Sequence, residues 1–84
     1  MLLTREQVTH AMNLTAPEIN RAVAYCGYFG GTYTAAVFQG MNELGSFVYL
    51  VTYHDPGSEV ATGRLYINYR QHRGSDEVYL NVEF

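Results

Sequence analysis

The residues with the clearest chemical potential are one cysteine and three histidines, Cys26, His10, His54 and His72. No two of these histidines share a helix at ligand spacing and Cys26 has no neighbouring cysteine, so the pattern does not predict a zinc site. Cys26 with a histidine could form a nucleophile and its base. However, Cys26 falls on the apolar stripe of a predicted helix, where a free cysteine is usually a small hydrophobic residue. His10 follows Glu6 by one helical turn, which predicts a surface pair.

Motifs for phosphate binding and acid–base catalysis are also missing from the sequence. Neither G-x-x-x-x-G-K nor G-x-G-x-x-G occurs. The acidic residues Glu59, Asp76 and Glu77 lie near predicted hairpin ends, and nothing pairs them as acid and base. A chain of 84 residues should also have little room for an enclosed pocket of several hundred Å³. We therefore predict a protein that is not an enzyme and that holds no cofactor and no metal ion.

Composition restricts the partners. The chain is 48% hydrophobic and has a formal charge of −3, with eight acidic residues and five arginines. Duplex binding usually needs a basic surface, so this balance disfavours nucleic acid. The single cysteine excludes an internal disulfide, which favours a cytoplasmic setting. We expect one domain, residues 1–84, without a signal peptide or a membrane-spanning segment.

The first quarter of the chain predicts two helices joined by a tight turn, over residues 4–26. Thr4 and Thr15 each open a capping box, in which a threonine and a Glu or Gln three residues later satisfy each other's backbone amides. Asn13 is expected to end the first helix in the left-handed conformation, and Gly27 to end the second. These signals predict a compact helical hairpin.

This segment resembles the helix-turn-helix of small bacterial and phage DNA-binding proteins. The matching positions are Val8, Met12 and Leu14, the turn at Asn13, Thr15 opening the second helix, then Ile19 and Ala22. The resemblance implies that residues 16–26 would read DNA, with Arg21, Asn20 and Thr15 as contacts. The chain departs from the family at Thr9, where a small alanine is usual, and at Asn13, where glycine is usual. A purely structural hairpin needs the same apolar spacing, and we favour it.

Beyond residue 31 the apolar period changes to two, which predicts four β-strands. Their short connections favour an antiparallel meander. Pro56 and Gly57 predict a type II turn between the second and third strands. Gly63, inside the third, predicts a bulge or a close backbone contact. The predicted fold is α+β, with an N-terminal two-helix hairpin (4–26) on one face of a four-stranded β-meander (32–84). The strands are expected at about 32–39, 46–54, 60–71 and 77–84.

Two helices can cover only one face of such a sheet. Alternation places Leu65, Ile67 and Tyr69 on the helix side, and we assign Val48 and Leu50 to the same side. The other face would carry Phe47 and the residues that we predict to bind a partner: Tyr49, Tyr53, Arg64, Tyr66, Asn68, Arg70, Tyr79 and Asn81. Tyrosine and arginine are enriched at interface hot spots, and an exposed patch usually marks a partner. The alternative is a solvated face stabilised by cross-strand aromatic pairs.

The leading functional hypothesis is a small non-enzymatic protein-binding module that blocks a host protein or protein complex. Small, slightly acidic, motif-free domains of this type resemble accessory and inhibitor proteins of phages and mobile elements, including anti-CRISPR inhibitors of defence effectors. Such a protein would act in the host cytoplasm by steric occlusion or by altering its partner's conformation. A homodimer through the open face is included in this partner-binding hypothesis. The alternatives are a helix-turn-helix DNA-binding regulator and a structural homo-oligomer subunit.

Overall fold

The predicted fold is confirmed. The computed structural model describes residues 2–27, 32–54, 57 and 60–84. Two helices precede a four-stranded antiparallel sheet of strand order β1-β2-β3-β4. The elements are α1 (Arg5–Met12), α2 (Ala16–Tyr25), β1 (Thr32–Met41), β2 (Phe47–His54), β3 (Ala61–Gln71) and β4 (Val78–Glu83).

Both predicted capping boxes form at the helix starts. The Thr4 hydroxyl accepts from the Gln7 amide at 3.1 Å, and the Gln7 side chain accepts from the Thr4 amide at 2.9 Å. Thr15 and Glu18 make the same exchange at 3.5 and 3.2 Å. Each box satisfies two of the backbone amides that a helix start leaves without a partner. The start of each helix is therefore fixed by local sequence.

The helix ends follow the prediction at one of two places. Gly27 ends α2 at φ +88°, as expected for a glycine stop. Asn13 does not adopt the left-handed conformation: its φ is −127°, and its side-chain amide instead donates to the Thr9 carbonyl at 2.7 Å. Of the predicted turn at 55–58, only Gly57 is among the described residues. Its φ of +85° has the sign that a type II turn requires.

Helix α2 lies on one side of the sheet and contacts both of its outer strands, which indicates that the sheet is curved. It packs on both β1 and β4, which are the two outer strands. Asn20 bonds to the β1 backbone, whereas Ala22 and Tyr25 lie beside Leu80 of β4. At about 100° per residue these side chains project from opposite flanks of the helix. The sheet must therefore curl around α2, which leaves its convex side without a helix.

Two β-bulges lie in β1, where the register with β2 shifts between Tyr33 and Ala35 and again between Phe38 and Gly40. Bulges bend a strand and increase its twist, which suits a sheet that wraps a helix. The bulge or close contact predicted at Gly63 is absent from the described structure. The β2–β3 pairing is regular from Phe47 to Tyr53, and a Cβ at Gly63 would meet nothing within 4 Å.

The core lies between the helices and the concave side of the sheet. The strand β2 contributes Phe47, Tyr49 and Val51 to it, so the predicted parity of this strand, with Val48 and Leu50 on the helix side, is wrong. The buried apolar residues are Ala11, Leu14, Ile19, Ala22 and Val23 from the helical half, and Tyr33, Phe47, Tyr49, Val51, Leu65, Ile67 and Val82 from the strands.

Candidate partner-binding face

The sheet side turned away from the helices is called the open face. Residues directly opposite each other on neighbouring strands share a face, so the register identifies its members. They are Ala35 and Val37 on β1, Val48, Leu50 and Thr52 on β2, Thr62, Arg64, Tyr66, Asn68 and Arg70 on β3, and Asn81 and Glu83 on β4, with Tyr79 opposite Arg70 at the β4 edge of the face.

The centre of the open face is apolar. Val37 lies opposite Leu50, and the two side chains are 57% and 39% exposed. Val48 lies opposite Tyr66, and both are half-buried. Exposed apolar residues that adjoin one another mark interaction surfaces more often than scattered ones. The pairing therefore gives this face an apolar centre spread over three strands.

Charged and amide side chains border this centre. Arg64 is exposed and lies opposite Leu50. Arg70 donates to Glu83 at 2.8 Å, and Asn81 donates to the same carboxylate oxygen at 3.4 Å. Two arginines and one glutamate give the face a formal charge of +1 (2 − 1), against −3 for the chain. The open face is thus locally positive on an acidic molecule.

Three aromatic residues predicted for this face lie on the helix side instead. Phe47 is fully buried, and Tyr49 is 1% exposed. Tyr53 is half-buried, and its ring packs at 5.3 Å from that of Tyr33. Their assignment to the open face is wrong, because β2 is apolar on both faces and alternation alone cannot choose between them.

The other predicted residues divide between the face and its edge. Arg64, Tyr66, Asn68, Arg70 and Asn81 lie on the open face, and their role in binding a partner stays a prediction. Tyr79 lies opposite Arg70, but at the β4 edge its ring also contacts Tyr25 and His72, with centroids 4.9 and 4.5 Å away. The Tyr25 hydroxyl is hydrogen-bonded to His72 Nε2. Tyr79 therefore belongs to an aromatic cluster beside α2.

A polar cluster on the helix side was not predicted. His10 Nε2 contacts Glu18 Oε2 at 2.5 Å, and His10 Nδ1 contacts the Tyr69 hydroxyl at 2.9 Å. The predicted pair of His10 with Glu6 is wrong. Glu18 was assigned from sequence to its capping box, and one carboxylate serves both purposes: Oε1 bonds to Thr15 while Oε2 faces His10.

The His10 cluster does not activate its tyrosine. Burial raises the pKa of Tyr69, and the negative charge of Glu18 raises it further. A nucleophilic hydroxyl needs the opposite shift or an effective base. The hydrogen bond from His10 lowers the pKa of Glu18 below 4.5, and bonds with Thr15 contribute to the decrease. The arrangement fits a structural role, in which hydrogen bonds hold α1, α2 and β3 together.

The Glu18 pKa predicts an acid-dependent loss of stability. A carboxyl whose pKa is depressed in the folded state stabilises the protein above its ordinary pKa of 4.5. That contribution disappears as the pH falls through the folded value. Glu18→Gln should therefore flatten the dependence of unfolding free energy on pH below about 4.5, as measured by urea titrations. Glu43→Gln, in the exposed β1–β2 loop, is the control and should keep the wild-type slope. If the dependence of unfolding free energy on pH were unchanged in Glu18→Gln, the stabilising role of the His10–Glu18 interaction would be contradicted.

Cys26 packs against the core, as predicted. Its sulfur accepts from the Val82 amide at 3.4 Å and lies 3.8 Å from Asn81 Oδ1. Across the described ranges, no three His, Cys, Asp or Glu side chains form a group that could hold a metal ion. Of the two helices described, neither is long and apolar enough to cross a membrane.

No family model matches the chain, and no curated protein or solved structure matches it. The geometry alone therefore defines the class: an α+β domain whose sheet is covered by helices on its concave side and open on its convex side.

Proposed function

We propose that this chain is a non-enzymatic protein-binding module that uses its open face to occupy a larger protein partner. The observation that carries the proposal is the division of the sheet: both helices pack on the concave side, while the convex side presents Val37, Leu50 and Tyr66 between arginines. Tyrosine and arginine around an apolar centre are typical of interface hot spots. Steric occlusion of the partner requires no catalytic group.

The charge of the face indicates the chemistry of the partner. Within the described structure Arg64 has no carboxylate partner, and Arg70 is paired at the exposed surface. An exposed pair of this kind contributes about 0–1 kcal/mol and is easily exchanged. A partner surface with apolar groups bordered by carboxylates would complement both features. A defence effector of the host, blocked by a phage or mobile-element inhibitor, is the partner class that we propose.

The environment of α2 favours this function over DNA reading. Thr15 is engaged in its capping box, and Asn20 bonds to the backbone of β1. Of the three residues that the helix-turn-helix resemblance implies as DNA contacts, Arg21 alone is both exposed and without a side-chain hydrogen bond or ion pair to another described residue. A reader helix must enter the major groove, whereas α2 is flanked by both outer strands.

The test is site-specific photo-crosslinking in host cells, with the crosslinking residue placed at Tyr66 or, as a control, at Tyr25. Tyr25 is 56% exposed and lies on α2, where it packs against Tyr79 beyond the β4 edge of the open face. We expect a defined protein adduct from position 66 and none from position 25. With the purified partner, Tyr66→Ala and Arg64→Ala should each weaken binding by about 30-fold, equivalent to about 2 kcal/mol at a hot spot. Tyr25→Ala should bind as the wild type does.

Three results would overturn the proposal. Equal adducts from both positions would remove the open face from the interaction. Salt-dependent duplex binding that is lost in Arg21→Ala would favour the DNA-binding regulator. A defined multimer by light scattering without any added partner, disrupted by Tyr66→Ala, would favour the homo-oligomer.

A further inference from the structure

A cavity of about 390 Å³ lies on the helix side of the sheet, where β2 ends and β3 begins. The space is open to solvent on one side, so it is a cleft and does not contradict the expectation that the chain has little room for an enclosed pocket. Ligand sites in proteins commonly measure about 300–1,000 Å³. The walls are mainly apolar and include Val23, Tyr33, Val51, Tyr53, Leu65 and Phe84, and the polar residues Thr62 and Arg64 also line the space.

The cavity exists because two positions of β3 lack a large side chain. Gly63 lies opposite Val51, and Ala61 lies opposite Tyr53, so both positions face the helix side. A Cβ at Gly63 would meet nothing within 4 Å. Gly63 is also not among the glycines with positive φ. Neither backbone conformation nor crowding requires glycine there, and its effect is to leave space.

Two tyrosine hydroxyls supply the polar groups of this cavity. The rings of Tyr33 and Tyr53 lie 5.3 Å apart at an interplanar angle of 51°, and both line the space. The hydrogen bonds of Tyr33 with other described residues are those of its backbone with Asn20. Burial raises the pKa of Tyr33, and the neighbouring Tyr53 raises it further, so the Tyr33 hydroxyl keeps its proton and can donate a hydrogen bond.

We propose that this cavity is a binding site for a small, ring-containing molecule that carries one hydrogen-bonding group. Its ring would pack against the exposed residues Ala61, Gly63 and Phe84, and its polar group would bond to the hydroxyl of Tyr33 or Tyr53. An apolar lining with a few convergent polar groups is the usual composition of such sites. The site reaches Thr62 and Arg64 of the open face, but its ligand and its test do not depend on the protein-binding proposal.

The test uses indole as the probe, since it is a neutral ring system with one N–H donor. Indole is titrated into the ¹⁵N-labelled full chain and followed by amide chemical shifts. We expect saturable shifts centred on Tyr33, Tyr53, Gly63 and Leu65. Gly63→Val fills the space and should weaken binding at least tenfold. Gly63→Ala, which adds one methyl group, should weaken it less and keeps the test valid if the valine variant fails to fold.

Thermal unfolding provides an independent measurement. Because Gly63→Val fills an empty space and replaces glycine within a strand, it should raise the melting temperature by about 4–8 °C. Ala35→Val is the control, since Ala35 is exposed on the open face, and it should leave indole binding unchanged. The proposal is overturned if indole shifts do not saturate, if Gly63→Val binds indole as tightly as wild type, or if both Gly63 variants lower the melting temperature.

Discussion

Replacing Tyr49 by phenylalanine should lower the free energy of unfolding by about 1–3 kcal/mol, although no carbon atom is lost. The Tyr49 hydroxyl donates to the Ala11 carbonyl at 2.6 Å and accepts from the Leu14 amide at 2.9 Å. Both partners lie around the turn between α1 and α2, where helix ends leave backbone groups unpaired. Without the hydroxyl, two buried polar groups would lose their partner.

Tyr49→Ala should cost more, about 3–5 kcal/mol, because it adds a cavity to the lost hydrogen bonds. Domains of this type have total stabilities of about 5–15 kcal/mol, so the alanine variant should be substantially unfolded at moderate urea concentrations. Urea unfolding followed by circular dichroism measures both changes.

The matched control for the Tyr49 series is Tyr66→Phe. Tyr66 is half-buried on the open face, and the change there should stay within about 0.5 kcal/mol. If Tyr49→Phe proved as stable as Tyr66→Phe, the hydroxyl would not join the helical turn to the sheet.

Local signals predicted much of this fold. Each of the two capping boxes needs only two residues three positions apart, and both boxes form. The third strand alternates cleanly through Arg64, Leu65 and Tyr66, so its faces followed from sequence. The five correctly placed residues of the open face all lie on β3 or its partner β4.

The failures come from information that is not local. Strand β2 is apolar on both faces, so its parity depends on the buried hydrogen bonds of Tyr49 with residues 35 and 38 positions away. The bulges of β1 place Tyr33 on the same side as Ala36 and Phe38, against simple alternation. The cluster of His10, Glu18 and Tyr69 joins three elements. No spacing rule connects such positions.

The second of the two large effects is expected at Asn20, which joins α2 to an outer strand. Its side-chain amide donates to the Tyr33 carbonyl at 2.9 Å, and its oxygen accepts from the Tyr33 amide at 2.8 Å. The side chain thereby acts as a neighbouring strand would. Exposed strand edges are sites of unwanted pairing between chains. Asn20 covers part of the β1 edge. At the opposite edge of the sheet, the Cys26 sulfur accepts a hydrogen bond from the backbone amide of Val82 in β4.

Asn20→Ala should therefore lower the unfolding free energy by about 1–3 kcal/mol, because two half-buried backbone groups lose their partners. Asn20→Asp would keep the acceptor but not the donor, and should fall between alanine and wild type at neutral pH. The control is Arg21→Ala, since Arg21 is the exposed neighbour on the same helix and should change stability by less than about 0.5 kcal/mol. Urea unfolding of the three variants measures these differences. If α2 read DNA, both alanine variants would lose duplex binding without losing stability. Wild-type stability in Asn20→Ala would therefore contradict the proposal that α2 supports this sheet.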